Sequence, residues 1–143
     1  MNKSELKAAR KLLHETIHFY NRENRAFQNT CQYKTPNGKK CAIGRILTDE
    51  CLEKVLSIGI GDLNYAGLAE TIQIEFISPY KNLSRNSDEL IRFLGQLQEL
   101  HDGASHWNQN GLTWNSGDRE VMNSFTEWFS EEELQYMIDN PPQ

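Results

Sequence analysis

The chain has 143 residues, with 20 acidic and 15 basic side chains and a formal net charge of −5. That length suits a single domain, 1–143, with a real core, and the acidic balance argues against binding extended nucleic acid, which needs a basic face to release counterions. No run approaches the ~18–20 apolar residues of a membrane span, so no membrane partner is expected. The N-terminus M-N-K-S-E-L-K-A-A-R lacks the apolar core of a secretion signal. Three cysteines suit reduced thiols better than a disulfide framework, and a cytoplasmic protein is expected.

From Ser4 to Tyr20, Leu6, Ala9, Leu13, Thr16/Ile17 and Tyr20 recur at helical spacing, which predicts an amphipathic helix. His14-Glu15-Thr16-Ile17-His18 spells H-E-x-x-H, the arrangement that puts two zinc-ligating imidazoles and a general base on one helix face. No third ligand is evident downstream, and Glu5, Lys7, Arg10, Lys11 and Glu15 give that surface a solvated character. Asn21 to Thr30 is polar and aperiodic and reads as a connection.

Thr35-Pro36-Asn37-Gly38 is a turn, because proline presets φ, asparagine tolerates the next position and glycine takes the left-handed site. A β-hairpin near residues 31–43 follows, pairing Thr35 with Lys39, Lys34 with Lys40 and Tyr33 with Cys41. Cys31, Tyr33, Cys41 and Ile43 then share the inner face, with Gln32, Lys34 and Lys40 outside. In that register Cys31 and Cys41 are diagonal neighbours roughly 7–8 Å apart, far for a disulfide.

Thr48-Asp49-Glu50 starts a helix through Leu52, Val55 and Leu56 toward Gly59, and it carries Cys51. Tyr65 to Ile77 has Leu68, Ile72 and Phe76 at helical spacing, although Thr71 to Phe76 also alternates as a strand does; the helix formers around Leu68 favour helix. Ser87, Asp88 and Glu89 open a helix with a wide stripe of Leu90, Ile91, Phe93, Leu94, Leu97 and Leu100, ending at Gly103. A loop rich in Trp, Asn and Gly runs from His106. Ser116 or Asp118 starts another helix, with Val121, Met122, Phe125, Trp128 and Phe129 inward. Ser130-Glu131-Glu132-Glu133 caps a last short helix ended by Pro141-Pro142. The expected fold is a mostly helical α+β domain of four to six helices with one hairpin.

At Cys31 to Glu50 and Phe93 to Trp107 the chain resembles a family of small uncharacterised proteins of bacteria and their phages. The pattern is C-x-Y-x-x-x-x-G-x-x-C-A-I-G, an acidic pair, then L-x-x-L-Q-x-x-H-D. The matching residues are Cys31, Tyr33, Gly38, Cys41, Ala42, Ile43, Gly44, Asp49 and Glu50, then Leu94, Leu97, Gln98, His101 and Asp102. Thr48 stands where the family often has proline, and the chain from Asn108 on lies outside the match. The resemblance implies a small phage-type accessory protein.

Three functions are weighed. The favoured one is binding without catalysis or a cofactor, either of a host (defence) protein or of a small nucleotide-like ligand. For such a ligand, Trp107 and Trp114 offer stacking, His106 and Asn115 hydrogen bonds, and Arg45 and Arg85 positive charge. The second is a cysteine-dependent hydrolase with Cys41 as nucleophile ahead of a helix, His101 as base and Asp102 as its orienter, although neighbours on a helix are expected to point apart. The third is a structural zinc site from Cys31, Cys41, Cys51 and His101, whose spacings differ from the usual paired knuckles.

Overall fold

Asn2 opens the first helix, α1 (Lys3–Phe19): its side chain accepts the Glu5 N–H at 2.8 Å while the Glu5 carboxylate accepts the Asn2 N–H at 2.9 Å. The structure, a computed structural model, describes residues 1–20, 24, 27–28, 30–31, 33–57, 64–103, 107–112, 119 and 122–142. After α1 come β1 (Phe27–Gln28), β2 (Thr30–Cys31), α2 (Asp49–Ser57), α3 (Tyr65–Thr71), α4 (Asp88–Asp102), β3 (Trp107–Asn108), β4 (Gly111–Leu112) and α5 (Glu131–Asp139). Short 3-10 turns lie at Lys81–Ser84 and Ser124–Glu127. This is a small, mostly helical α+β fold. None of the described helices is long and apolar enough to cross a membrane.

The central helix is α4. Ser87 caps it by accepting the Leu90 N–H at 3.2 Å, and Leu90, Phe93, Leu94, Leu97 and Leu100 are wholly buried. Each such side chain contributes about 1.5–3 kcal/mol of transfer free energy. α3 packs on α4, and α1 runs against α4, α5, β4 and the first 3-10 turn. Near the surface end of α1, Glu5 is only 1% exposed. Arg85 meets it with a two-pronged pair, Nε to Oε2 at 2.7 Å and Nη2 to Oε1 at 3.0 Å, which holds its carboxyl below the usual range.

The expected hairpin register holds beside the turn. Lys34 and Lys40 form an antiparallel bridge, the Thr35 N–H donates to Lys39 O at 2.7 Å, and the Cys41 N–H donates to Tyr33 O at 3.2 Å. Beyond Cys41 the apolar run could continue the second strand or begin a helix, and residues 42–46 wind into a turn, so Ile43 does not extend the hairpin. Backbone pairing on the other side places Cys31 opposite Phe27 and Thr30 opposite Gln28, so the stretch read as a connection contains its own antiparallel contact. A further pair, Trp107 with Leu112 and Asn108 with Gly111, lies in the loop read as irregular.

The helix expected over 65–77 ends at Thr71. Ile72 is extended, Ile74 and Phe76 turn inward, and Phe76 bridges Leu47. The helix formers govern the first half and the alternating β-branched residues the second, since only an extended chain delivers every second side chain to the core. Thr48 receives the Cys51 N–H at 3.2 Å and starts α2; the end expected at Gly59 falls outside the described residues. Met122, Phe125 and Phe129 are buried as expected, with Trp128 partly so, while Ser116, Asp118 and Val121 are not described. Ser130 caps α5 through the Glu133 N–H at 3.1 Å.

Candidate functional site

Gly38, at φ 88°, makes the turn that returns the chain to Cys41. One helical turn follows, in which Cys41 O accepts the Arg45 N–H at 2.9 Å and Ile43 O accepts the Leu47 N–H at 3.2 Å. Gly44 lies against the hairpin backbone: a Cβ there would sit 2.1 Å from Tyr33 O. The bare α-carbon lets the turn close onto the strand, which brings the Gly44 N–H to Cys41 Sγ at 3.2 Å.

The end of α4 meets this turn. Gln98 donates from Nε2 to Asp102 Oδ1 at 3.1 Å, and its amide favours the Cys41 thiolate. His101, wholly buried, places Nδ1 2.8 Å from the same Asp102 oxygen. These neighbours were expected to point apart; in the last helical turn the short Asp102 side chain folds back toward the imidazole. Tyr20 packs edge-on against His101 at 4.6 Å and donates its hydroxyl to Lys40 O at 3.0 Å. Trp107 closes the cluster. Its Nε1–H donates to Leu100 O at 3.0 Å, and its ring lies 6.2 Å from that of Tyr20.

Burial dominates the electrostatics here. It pushes the Cys41 thiol up to about 12, outweighing the Gly44 N–H, and it raises the hydroxyls of Tyr20 and Tyr33 as well. At neutral pH Cys41 is therefore a protonated thiol inside the core. Mass-spectrometric mapping of iodoacetamide labelling at pH 8 is expected to leave Cys41 unmodified in the folded protein and to find it fully labelled in denaturant. Rapid labelling of Cys41 in the native protein would contradict this burial.

A second cluster flanks the turn. The Glu15 carboxylate receives Tyr80 OH at 2.6 Å, Lys11 Nζ at 3.0 Å and Arg45 Nη1 at 3.2 Å. Its burial raises the carboxyl pKa, but these three donors together outweigh that and leave it lowered. The exposed Phe19 ring lies 5.1 Å from the Arg45 guanidinium carbon. Ile77, also exposed, donates its N–H to Ile46 O at 2.8 Å.

Arg45 and Arg85 do not converge on one point. Their carboxylate partners, Glu15 and Glu5, stand ten residues apart on α1, about 15 Å along its axis. Trp107 is a core anchor, while His106, Trp114 and Asn115 lie outside the described residues. Cys41, His101 and Asp102 gather at one place, without an opening to solvent at Cys41 or His101. Cys51 is buried elsewhere, its Sγ 3.8 Å from Gln73 O, and the Cys31 side chain is not described. No group of three or more His, Cys, Asp or Glu among the described residues is placed to hold a metal.

The H-E-x-x-H residues have other partners. His14 Nε2 lies 2.6 Å from Asn140 O and His18 Nε2 2.6 Å from Met137 O, so both imidazoles donate to carbonyls at the end of α5. Glu15 is the hub of the Arg45 cluster. Phe19 and Tyr80 have no spacing that announces them as members of these clusters, whereas Tyr20 lies at the helical spacing of the α1 stripe and is buried. The β3–β4 turn did carry a signal, Asn108-Gln109-Asn110-Gly111 between Trp107 and Leu112, with Gly111 at φ 122°. No family model matches the chain, and comparison with curated proteins and solved structures yields no match.

Proposed function

We propose that the protein is a small phage-type accessory factor that acts by binding, capturing a host protein through the surface around Phe19, Arg45 and Ile77. The observation that carries this reading is the Phe19 ring, 51% exposed and held over Arg45, with Ile77, itself 41% exposed, joined through its backbone N–H to Ile46, the next residue after Arg45. An aromatic ring, an aliphatic side chain and an arginine on a rigid turn form the kind of cluster that dominates protein interfaces. Capture of a small nucleotide-like ligand has less support, since the Trp107 indole is spent on packing and the two arginines are held apart by their own carboxylates.

A second reading, a hydrolase using Cys41 and His101, draws on the His101 to Asp102 hydrogen bond. The burial and raised pKa of the thiol weigh against it.

The test is affinity capture from bacterial lysate with the wild type and with Phe19→Ala/Ile77→Ser, alongside native mass spectrometry of the purified protein. The double variant is expected to keep its fold and lose its partner by at least about tenfold. Equal capture by the variant, or a nucleotide mass retained on the wild type, would overturn the reading.

A further inference from the structure

We propose that the groove between α1 and α5 seats a second copy of this chain, making the protein a two-fold dimer. The groove encloses about 300 Å³ and is lined by Arg10 and His14 of α1 and by Glu132, Glu133, Tyr136 and Met137 of α5. Tyr136 stands 61% exposed at its edge. Phe19, nine residues beyond Arg10, lies half a turn round α1, so the surface assigned to the host partner faces another way.

The two walls carry opposite charge. Lys3, Lys7, Arg10 and His14 follow one another at four-, three- and four-residue steps, which places them along one face of α1. On α5, Glu132, Tyr136 and Asp139 follow one another at four- and three-residue steps along the outer face. Lys3, Lys7 and Glu132 are exposed, and among the described residues none of the three takes part in an ion pair. Arg10 and Glu133 already bridge the walls once, at 3.0 Å.

This layout selects the occupant. A basic segment would meet like charge on the α1 wall, and an acidic one would meet it on the α5 wall. The matching partner has an apolar centre with the two charges in reverse order, and a second copy turned by two-fold rotation presents that surface: α1 of each faces α5 of the other, and each Tyr136 enters the opposing groove. The tyrosines supply affinity, and the charges set register and encounter rate. A stable pair needs about 800 Å² from each copy, roughly a tenth of the 7950 Å² surface. The outer faces of both helices must therefore take part.

Sedimentation equilibrium of the full chain across the micromolar to millimolar range, at low and high salt, tests this. The expected result is a reversible dimer that weakens with salt and is lost in Tyr136→Ala. Lys7→Glu and Glu132→Lys should each weaken it by about tenfold or more. Their combination should restore it, since both contacts then pair opposite charges again. The charge reversals are at exposed positions and carry the test even where Tyr136→Ala proves unstable. A monomer at every concentration overturns the proposal, as does a dimer indifferent to these changes or a double variant that stays weak. A monomer whose capture of a host protein depends on Tyr136 would also overturn it and assign the groove to that partner.

Discussion

Gly44→Ala is expected to destabilise the fold by about 4 kcal/mol or more, enough to leave much of a marginally stable domain unfolded at room temperature. The added Cβ would lie 2.1 Å from Tyr33 O and 3.0 Å from its carbonyl carbon, and both are backbone atoms of the hairpin. No rotamer relieves such a clash. Either the turn lifts off the strand, taking the Gly44 N–H away from Cys41 Sγ, or the hairpin shifts and breaks the Cys41 to Tyr33 hydrogen bond. Gly95→Ala is the control. It lies within α4 with nothing within 4 Å of its added Cβ, so there the substitution should stabilise by about 1 kcal/mol through helix propensity. Urea unfolding followed by circular dichroism reads both. A Gly44→Ala midpoint equal to that of the wild type would show that the turn does not rest on Tyr33.

Trp107→Ala should cost about 3–5 kcal/mol, the range for deleting a fully buried aromatic ring. Its indole is wholly buried against Tyr20, and its Nε1–H is the donor to Leu100 O near the end of α4. Trp107→Phe separates the two contributions: it refills part of the cavity and leaves the buried carbonyl without that donor, for a loss of about 1–3 kcal/mol. The two roles considered for this indole predict different measurements. A core anchor lowers the urea midpoint on substitution, whereas a stacking platform leaves stability near wild type and weakens only ligand binding. The geometry favours the first.

The two stretches singled out in the sequence, Cys31 to Glu50 and Phe93 to Trp107, meet in space, where Tyr20 donates to Lys40 O and packs on the His101 ring. Asp102 gathers Gln98 and His101, and the Gln98 amide favours the Cys41 thiolate. Their spacing therefore has a structural reason, a turn packed on a hairpin and tied to the end of the central helix. Arg45, singled out for its charge, sits at the edge of this unit, where the Glu15 carboxylate and the Phe19 ring flank its guanidinium.

What the sequence determined by itself was local. The caps at Thr48, Ser87 and Ser130, the apolar stripes of α1 and α4, and the hairpin turn at Pro36 to Gly38 are set by interactions within a few residues, so they could be read one segment at a time. The tertiary structure decided whatever depends on a distant partner. Helix α3 stops at Thr71 because the following residues pair with Leu47 and send Ile74 and Phe76 inward. His14 and His18 face carbonyls because the end of α5, more than a hundred residues later, lies across α1. Cys41 is a buried thiol and Trp107 a core anchor because burial is set by everything packed around a side chain, and no local pattern encodes that.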